Sequence, residues 1–404
     1  MKKRILFVDD DPQLLKSIRR MLWDKQDRWE LSFLASGEEA LAAFAAQPFD
    51  VLVADMRMPG MEGHQLLART RALYPWTMRV VLSGVSERQY IMRAVPLAHQ
   101  FLTKPVPAER LAEVIERGCA LRDMILSDEL RTLISGIDAL PAQPDVYARL
   151  VKALDDESAP VEAIASVISR DVALSADVLK LVNSSFFGPR MHVSRLEKAV
   201  TLLGVDTIRG IVLGLQMLKV FDTRKFPDFS FPKLWEHCLN TALLAKAIAA
   251  AEDLPPDEQD DSFIAGMLHD LGKFVLADKI QHAYREAVSA SRDSNTTIVE
   301  AEQKILGACH AQAGAYLLGL WGLPDRVLEA VAFHHAPSSL TSPAMNATAA
   351  VHAANALEHE LVVINRGYAP HNMDTDYLER IGMAGRLDGW RQLCRETLET
   401  GGSR

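Results

Sequence analysis

The sequence has few cysteines and no apolar run long enough to cross a membrane. Its 404 residues include four cysteines, which lie far apart at Cys119, Cys238, Cys309 and Cys394. None belongs to a CxxC pair, so a disulfide framework is excluded, and we expect free buried thiols in a reducing, cytoplasmic compartment. No apolar stretch approaches the ~20 residues of a membrane helix. The basic start MKKRILFVDDDP has four apolar residues before three aspartates, which excludes a signal peptide.

Positive charge is scarce in the longer, second part of the chain. Residues 1–120 carry 17 basic and 15 acidic side chains, whereas the remainder carries 27 basic and 38 acidic side chains. Nucleic acids are bound by clustered lysine and arginine, which displace counterions from phosphates. The acidic part also lacks a helix-turn-helix pattern with a basic recognition helix. We therefore expect neither DNA nor a membrane as a partner.

Residues 1–120 alternate between strand and helix patterns. Amphipathic stretches, Leu14–Trp23 and Glu38–Ala46, lie between short apolar runs that are typical of buried parallel strands. These runs are Ile5–Val8, Val51–Ala54 and Val80–Leu82, with a further short strand near Phe101–Thr103. The alternation predicts a doubly wound α/β domain with a parallel sheet, and such sheets bind ligands at the carboxyl ends of their strands.

Helical patterns fill the rest of the chain. From residue 107 to residue 137 apolar residues recur at helical spacing, which predicts either one connecting helix or a closing helix followed by a separate one. As a single helix, this stretch would be a rigid connector or the contact surface of a homodimer. Beyond it, Ala- and Leu-rich amphipathic segments predict an all-α domain of roughly a dozen helices over residues 138–404. Within this domain we distinguish a core, residues 138–340, from C-terminal helices, residues 341–404.

Polar side chains follow the predicted strands at the point where each strand ends. Asp9 and Asp10 follow one strand and Asp55 follows another, so three carboxylates converge at one edge of the sheet. Like charges at close range repel unless a cation joins them, and oxygen ligands suit Mg²⁺. Ser83 and Lys104 follow two later strands and offer a hydroxyl and a cation to a phosphate. These parts are the ones that phosphoryl transfer to a carboxylate needs.

Four motifs carry a resemblance to a known family: VDDD at 8–11, ADMRMPGMEG at 54–63, LSG at 82–84 and FLTKP at 101–105. In them the chain resembles a response-regulator receiver domain, which implies a five-stranded parallel sheet within residues 1–120. The resemblance implies that Asp55 accepts a phosphoryl group from a histidine kinase and that Ser83 and Lys104 bind its oxygens. Phe101 takes the position of the family's aromatic switch residue. The implied Mg²⁺ ligands are Asp9, Asp10, Asp55 and the backbone carbonyl of Arg57.

Histidines cluster in the second half of the chain. With one aspartate they form a set of six residues: His237, His269, Asp270, His310, His334 and His335. Imidazoles and a carboxylate can bind a transition metal such as iron, manganese or zinc, and the metal can activate water for phosphodiester hydrolysis. The alternative interpretation is that these are core or capping histidines whose ring nitrogens are satisfied by hydrogen bonds.

These histidines lie within a longer resemblance, over residues 133–340. Its motifs are LPAQPDVYARL at 140–150, KLVNSSFFG at 180–188, AVTLLGVDTIRGIVL at 199–213, HDLGK at 269–273 and HAQAGAYLLGLWGLP at 310–324. In them the chain resembles an HDOD domain, a signalling or protein-interaction module related to the HD phosphohydrolases. The six clustered residues match ligand positions of the related HD-GYP phosphodiesterases. Two features depart from those enzymes: Asn355 stands where they have an aspartate ligand, and HHAPSSLTSP at 334–343 lacks the GYP signature.

Two functions follow from these resemblances. In the first, phosphorylation of Asp55 switches a non-catalytic HDOD domain, which binds an unidentified protein partner. The alternative is a phosphorylation-gated, metal-dependent phosphodiesterase for a cyclic dinucleotide or another nucleotide, with Lys273 holding a phosphate. Because asparagine is uncharged and coordinates metals weakly, Asn355 favours the first function.

Overall fold

The computed structural model describes residues 2–84, 97–125, 127–135, 137, 149–150, 153–154, 160–183, 193–204, 230–294, 296–340, 344–362 and 373–401. Parts of three motifs, at residues 140–148, 184–188 and 205–213, lie outside the described residues. The chain divides into two units, the first built mainly on residues 1–139 and the second on most of the chain that follows. None of the described helices is both long and apolar enough to cross a membrane.

The first unit is built on a five-stranded parallel sheet. Strands β1 to β5 are Lys3–Val8, Trp29–Leu34, Val51–Asp55, Met78–Ser83 and Gln100–Thr103. Their order is β2-β1-β3-β4-β5, and each neighbouring pair is parallel. The predicted fold class and the four predicted strands are confirmed. Strand β2 has no continuous apolar run because it lies at the edge of the sheet, where most of its side chains are only partly buried.

The first two helices of this unit begin directly after residues that cap free backbone N–H groups. Helices α1 to α4 are Pro12–Met21, Gly37–Ala46, Gly63–Leu73 and Ala108–Asp123. The Asp11 side chain accepts a hydrogen bond from the N–H of Gln13, and Ser36 accepts one from the N–H of Glu39. The core between helices and sheet includes Leu52, Val81, Phe44 and Leu66. The Asp11 cap fixes the start of α1 just after β1, and Asp9 and Asp10 lie in the short connection between the two.

The stretch from residue 107 to residue 137 holds two helices, so a single connecting helix is not what the structure shows. Helix α4 ends at Asp123, and helix α5 is Asp128–Ser135. The Ser127 hydroxyl accepts a hydrogen bond from the N–H of Leu130. A serine that caps the backbone favours a new helix start over continuation of the preceding helix. The second of the two interpretations is therefore the one observed.

Buried polar groups of the sheet bind the end of helix α5. The carbonyl of Ser135 accepts hydrogen bonds from the Arg79 guanidinium, at 3.2 Å, and from Nε2 of His99, at 2.8 Å. The carbonyls of Leu97 and Thr77 accept further hydrogen bonds from Arg79. Nδ1 of His99 accepts from the backbone N–H of Arg79, which fixes the ring with its proton on Nε2. Helix α5 is thus held against the sheet of the first unit.

All regular elements described beyond residue 137 are helices, which confirms the predicted all-α region. Helices α6 to α18 are Val161–Ile168, Val172–Val182, Leu196–Leu203, Phe231–Ala251, Pro256–Leu268, Leu271–Lys279, Gln281–Ser294, Ile298–Leu306, His310–Leu320, Asp325–Phe333, Ala347–Leu361, Thr375–Arg380 and Leu387–Gly401. Single 3₁₀ turns occur at Trp23–Lys25, Pro337–Ser339 and Ala384–Arg386.

Close backbone contacts position the histidines of the second unit. Helix α9 packs against α10 and α16. At Gly266, an added Cβ would lie 2.8 Å from the Cα of Ala242, and at Gly272 it would lie 1.9 Å from the carbonyl oxygen of His310. Only glycine permits these approaches. They bring the chain between α10 and α11, which carries the HD pair, against the start of α14, which carries His310.

Candidate functional site

The first candidate site lies at the carboxyl ends of strands β1, β3 and β5. Asp9 follows β1, Asp55 ends β3, and both side chains are buried. Lys104 follows β5, and its Nζ donates to Asp9 Oδ2 at 2.6 Å and to Asp55 Oδ1 at 2.5 Å. The structure therefore brings together two of the three predicted carboxylates and the predicted lysine. The parallel strands cause this, because their carboxyl ends meet at one edge of the sheet.

Backbone N–H groups bind the remaining oxygens of the two carboxylates. The N–H of Asp11 donates to Asp9 Oδ1 at 2.9 Å, and the N–H of Arg57 donates to Asp55 Oδ2 at 2.9 Å. The Asp10 side chain is exposed to solvent beside this pair. Gly63 packs directly against the backbone of Asp55, since an added Cβ at residue 63 would lie 2.1 Å from the carbonyl oxygen of Asp55. Both carboxylates are thus held in fixed orientations.

The two other predicted residues of this site are buried. Ser83 ends strand β4, and its carbonyl accepts a hydrogen bond from the N–H of Lys104 at 2.8 Å. That bond links the hydroxyl-bearing residue to the residue that carries the ammonium. Phe101 lies in strand β5 with its ring in the apolar core. The predicted switch residue is therefore directed inward in this structure.

The charges of this site depend on one another. Burial raises the pKa of Asp55 above its usual 3.8, although Lys104 acts in the opposite direction. Burial alone would lower the pKa of Lys104, but its hydrogen bonds to Asp55 and Asp9 outweigh burial and raise it. Carboxylate oxygens at an edge that reaches solvent are the ligands that Mg²⁺ prefers, since this ion keeps several of its waters. The donor set therefore fits Mg²⁺.

The second candidate site is centred on the buried carboxylate of Asp270. His269 and Asp270 lie between α10 and α11, His237 lies in α9, His310 begins α14, and His334 and His335 follow α15. All six residues are buried. The structure thus brings together the whole set that the sequence motifs predict.

Hydrogen bonds at Nδ1 fix the orientation of four of these rings. Nδ1 of His269 donates to the Gly266 carbonyl at 2.7 Å, and Nδ1 of His334 donates to the Val331 carbonyl at 2.8 Å. Nδ1 of His237 lies 2.6 Å from Glu358, and Nδ1 of His310 lies 2.6 Å from Glu302. A ring whose proton is on Nδ1 offers the lone pair of Nε2. In all four rings Nε2 is the nitrogen directed toward Asp270.

The Nε2 atoms divide between the two oxygens of Asp270. His237 and His269 lie 3.5 Å from Oδ2, whereas His310 lies 3.2 Å and His334 lies 3.9 Å from Oδ1. Nε2 of His310 also lies 2.9 Å from Nε2 of His335. Two groups with metal-ligand spacing result, one on each oxygen: His237, His269 and Asp270, and Asp270, His310, His334 and His335. The arrangement fits a transition metal, for which buried imidazole and carboxylate are suitable ligands.

Three titratable residues of this site, two glutamates and a histidine, were not predicted as part of the cluster. Glu302 lies in α13 with its Oε2 2.6 Å from Nδ1 of His310, and Glu358 lies in α16 with its Oε2 2.6 Å from Nδ1 of His237. His359 stacks on His237 with ring centroids 4.5 Å apart. A signal for Glu358 exists in the sequence, because it falls on the same helical face as the apolar residues Val351 and Ala354.

The predicted phosphate-binding lysine and the predicted departure from the enzymes both lie at this site. Nζ of Lys273 donates to Asp270 Oδ2 at 2.6 Å, and the lysine is buried. In this structure Lys273 therefore neutralises Asp270. Asn355 is buried in α16, one helical turn before Glu358. Asn355, which stands where the related enzymes have an aspartate, is thus followed one turn later by Glu358, a carboxylate that the sequence motifs do not include.

Burial controls the charges of the imidazoles. It lowers the pKa of His237 and of His269 to about 4, and that of His334 well below 6.5, so these rings are neutral at pH 7. Burial alone would lower the pKa of His310, but Glu302 and Asp270 raise it. Burial would also raise the pKa of Asp270, but Lys273 and the imidazoles hold it well below 3.8. His237, His269 and His334 are therefore neutral beside an ionised Asp270, and a metal requires these protonation states of its ligands.

Comparison with known protein families matches both parts of the chain. Residues 5–116 match the response regulator receiver domain, and residues 140–337 match the HDOD domain. The fold of the first unit is therefore that of a receiver domain. The chain is a response regulator in which an HDOD domain follows the receiver domain.

Individual relatives match parts of the chain. An uncharacterized protein of Treponema pallidum is 29% identical over 207 residues, 49% of this chain and 38% of that protein. The hydrogenase transcriptional regulatory protein HoxA of Cupriavidus necator is 27% identical over 194 residues, 45% of this chain and 39% of HoxA. The solved structure of the MmoQ response regulator of Methylococcus capsulatus is 21% identical, with a TM-score of 0.46, and the match covers 63% of this chain and 98% of that chain. The chain matches less than half the length of the Treponema pallidum protein and less than half the length of HoxA.

Proposed function

We propose that a histidine kinase phosphorylates Asp55 and that phosphorylation switches a non-catalytic HDOD domain, which signals through a protein partner. The observation that carries the first step is the contact of Lys104 Nζ with both Asp55 and Asp9. In the transfer, the P–N bond of the phosphohistidine breaks and a P–O bond forms at the Asp55 carboxylate. Asp9, Asp10, Asp55 and the backbone carbonyl of Arg57 would hold Mg²⁺, which neutralises charge on the transferring group.

The residues of this chain have separate roles in that step. The two N–H groups of Asp11 and Arg57 orient the carboxylates before transfer. Lys104 is a mobile point charge that can move from Asp55 to an oxygen of the phosphoryl group. Ser83 ends the adjacent strand and offers its hydroxyl to another phosphoryl oxygen. Phe101, now buried, is the residue whose ring position we expect to change with phosphorylation.

Replacement of the acceptor tests this proposal. We expect Asp55→Asn to abolish phosphate incorporation from acetyl phosphate with Mg²⁺, measured by the mass of the intact protein and by phosphate-affinity electrophoresis. Asp24→Asn is the matched control, because Asp24 is an aspartate of the same domain that is 71% exposed. Incorporation into the Asp55→Asn protein at the level of the control would refute the assignment.

The output part of the proposal rests on the domain division and on Asn355. We propose residues 1–120 as the receiver domain and 138–404 as the HDOD output, with a core at 138–340. A homodimer through the helices of residues 107–137 is a separate proposal, which sedimentation with and without beryllofluoride tests. Capture of one partner by the full chain, changed by beryllofluoride and unchanged by removal of metal, would support a non-catalytic output.

A second candidate function is favoured by the cluster on Asp270. We propose as the alternative a phosphorylation-gated phosphodiesterase for a cyclic dinucleotide, with a bound iron, manganese or zinc ion that supplies an activated water. The two ligand groups on the oxygens of Asp270 support it. Cyclic dinucleotide turnover that needs Mn²⁺ or Fe²⁺, is lost in His269→Ala and is kept in the exposed control His282→Ala would establish it. No turnover by folded, metal-loaded protein would leave the non-catalytic function.

A further inference from the structure

Two histidines on opposite sides of Asp270 have the same kind of partner at Nδ1. His237 has Glu358 and His310 has Glu302, each at 2.6 Å, and both carboxylates are fully buried. Each glutamate also accepts a second hydrogen bond, from Nδ2 of Asn240 to Glu358 at 3.1 Å and from the backbone N–H of His310 to Glu302 at 2.8 Å. A carboxylate that accepts two such hydrogen bonds is held in a fixed position.

The pair His237 and His269 shows what Glu358 does. Nδ1 of His269 donates to a carbonyl, so its Nε2 carries a lone pair. An ionised Glu358 accepts the Nδ1 proton of His237, and in that state Nε2 of His237 carries a lone pair as well. The two Nε2 atoms lie 3.1 Å apart, and both lie 3.5 Å from Asp270 Oδ2. Lone pairs that face each other this closely repel, and a cation between them removes the repulsion.

The charges of the buried side chains point the same way. Three carboxylates, Asp270, Glu302 and Glu358, are buried at this site with one ammonium, that of Lys273. The buried carboxylates outnumber the buried ammonium by two, and unbalanced charge is costly in a protein interior. In this structure that cost raises the pKa of Glu358 to about 7, mainly through burial, and a divalent cation among these groups would offset it.

We propose that Glu358 is a positioning residue of a divalent-metal centre on Asp270 and supplies, one helical turn further along α16, the negative charge that Asn355 lacks. Glu358 is not itself a metal ligand in this proposal. It orients the ring of His237 and increases the basicity of Nε2 of His237. This inference rests on metal binding, which belongs to the second candidate function, but it does not require catalysis. A metal centre of this kind is equally compatible with a structural role in a signalling domain.

The test compares two glutamates of the same helix. Glu358→Gln removes the buried carboxylate, whereas Glu360→Gln is the matched control, because Glu360 is exposed and pairs with Arg391. Full-length proteins are titrated with Zn²⁺ and Mn²⁺ against a chelator, and Co²⁺ spectra report the geometry of the site. We expect Glu358→Gln to weaken metal binding roughly 10–100-fold and to change the Co²⁺ spectrum, the usual effect of removing such an outer carboxylate. Glu358→Asp should restore part of the affinity.

The outcomes separate this inference from the function on which it rests. If the unaltered protein binds none of these ions, both the metal centre and the role of Glu358 are refuted. If it binds them and Glu358→Gln matches Glu360→Gln in affinity and spectrum, the centre stands and the role of Glu358 is refuted. Nitrogen NMR of the unaltered, metal-free protein serves if Glu358→Gln does not fold. A His237 ring protonated at Nε2 would contradict the inference, and one protonated at Nδ1 supports it.

Discussion

The chain holds two aspartate–lysine ion pairs that have nearly the same length and very different surroundings. In the receiver domain, Lys104 Nζ lies 2.5 Å from Asp55, and 26% of the lysine side chain is exposed. In the HDOD domain, Lys273 Nζ lies 2.6 Å from Asp270, and only 2% of the lysine side chain is exposed. The geometry of contact is therefore shared, and access to water is what differs.

Exposure decides what each pair can do. An ammonium at an open edge can leave its carboxylate at small cost because water replaces the contact. Lys104 can therefore release Asp55 to a phosphoryl group. A buried ammonium has no water to move to, so Lys273 stays on Asp270 and becomes part of the folded structure. The same two residue types thus make a switchable acceptor in one domain and a fixed centre in the other.

The largest expected effect is on the free energy of unfolding when each lysine is replaced in metal-free protein. Lys273→Met leaves a buried carboxylate without its ammonium and should lower the free energy of unfolding by ~3–5 kcal/mol. Lys104→Met also leaves two buried carboxylates, but each keeps a hydrogen bond from a backbone N–H and the lysine itself is 26% exposed, so we expect a smaller loss. Chemical denaturation followed by circular dichroism, with the two domain transitions fitted separately, measures both. Equal losses would mean that burial does not distinguish the pairs.

A glycine beside each site allows a second comparison. Gly272→Ala places a Cβ against the His310 carbonyl, at 1.9 Å, and Gly63→Ala places one against the Asp55 carbonyl, at 2.1 Å. Overpacking costs ~1–3 kcal/mol. We expect Gly272→Ala at the upper end, because the starts of two packed helices, α11 and α14, must separate. We expect Gly63→Ala at the lower end, because the carbonyl that it meets is at the end of β3, where a loop follows. The thermal midpoint of each domain is the measurement.

The control for the glycine comparison is Gly389→Ala. Gly389 is exposed in helix α18, and an added Cβ there would meet nothing within 4 Å. Alanine in a helix interior is favoured over glycine by roughly 0.5–1 kcal/mol, so this variant should be slightly stabilised. A larger loss in Gly63→Ala than in Gly272→Ala would show that the first site, and not the second, is the rigid one.

The sequence predicts the two sites unequally, for a physical reason. At the receiver site, Asp9, Asp55 and Lys104 each follow a strand, and parallel strands bring such residues together whatever the rest of the fold does. Strand β2, which the apolar runs do not predict, lies at the sheet edge, where alternation is weak. Motifs and apolar runs were therefore enough for the fold and for the arrangement of this site.

At the HDOD site the sequence motifs supply the histidines and not their partners. Glu358 lies 121 residues from His237 along the chain, so no local pattern joins them. Only the packing of α16 on α9 brings the two together. Glu302 is closer to His310, eight residues away, but a turn between two helices decides that contact. The only local sign of such a contact is an acidic residue, such as Glu358, on the apolar face of a helix. The sequence does not show which residue it contacts.

A third substitution, Asn355→Asp, places a carboxylate at the position where the related enzymes have an aspartate ligand. Asn355→Asp adds a buried charge beside His237, so metal-free protein should lose ~1–3 kcal/mol of stability. With metal bound, the added charge becomes a ligand, and we expect affinity for Mn²⁺ to rise about tenfold, which corresponds to ~1.4 kcal/mol. Chelator competition and thermal unfolding with and without Mn²⁺ measure the two effects. Destabilisation that Mn²⁺ does not relieve would contradict a metal centre at this position.

The smallest effect concerns a cysteine in each region. Burial raises the pKa of the Cys119 thiol to about 12 and that of Cys238, beside His237, well above 9, so both thiols are protonated at pH 8. Alkylation then needs a local opening. Because Cys119 is 7% exposed and Cys238 is fully buried, iodoacetamide should modify Cys119 severalfold faster, as followed by peptide mass spectrometry. Urea-unfolded protein, in which both thiols should react alike, is the control. Faster modification of Cys238 in native protein would show that the HDOD core opens more readily than the receiver, the reverse of what the two lysine pairs indicate.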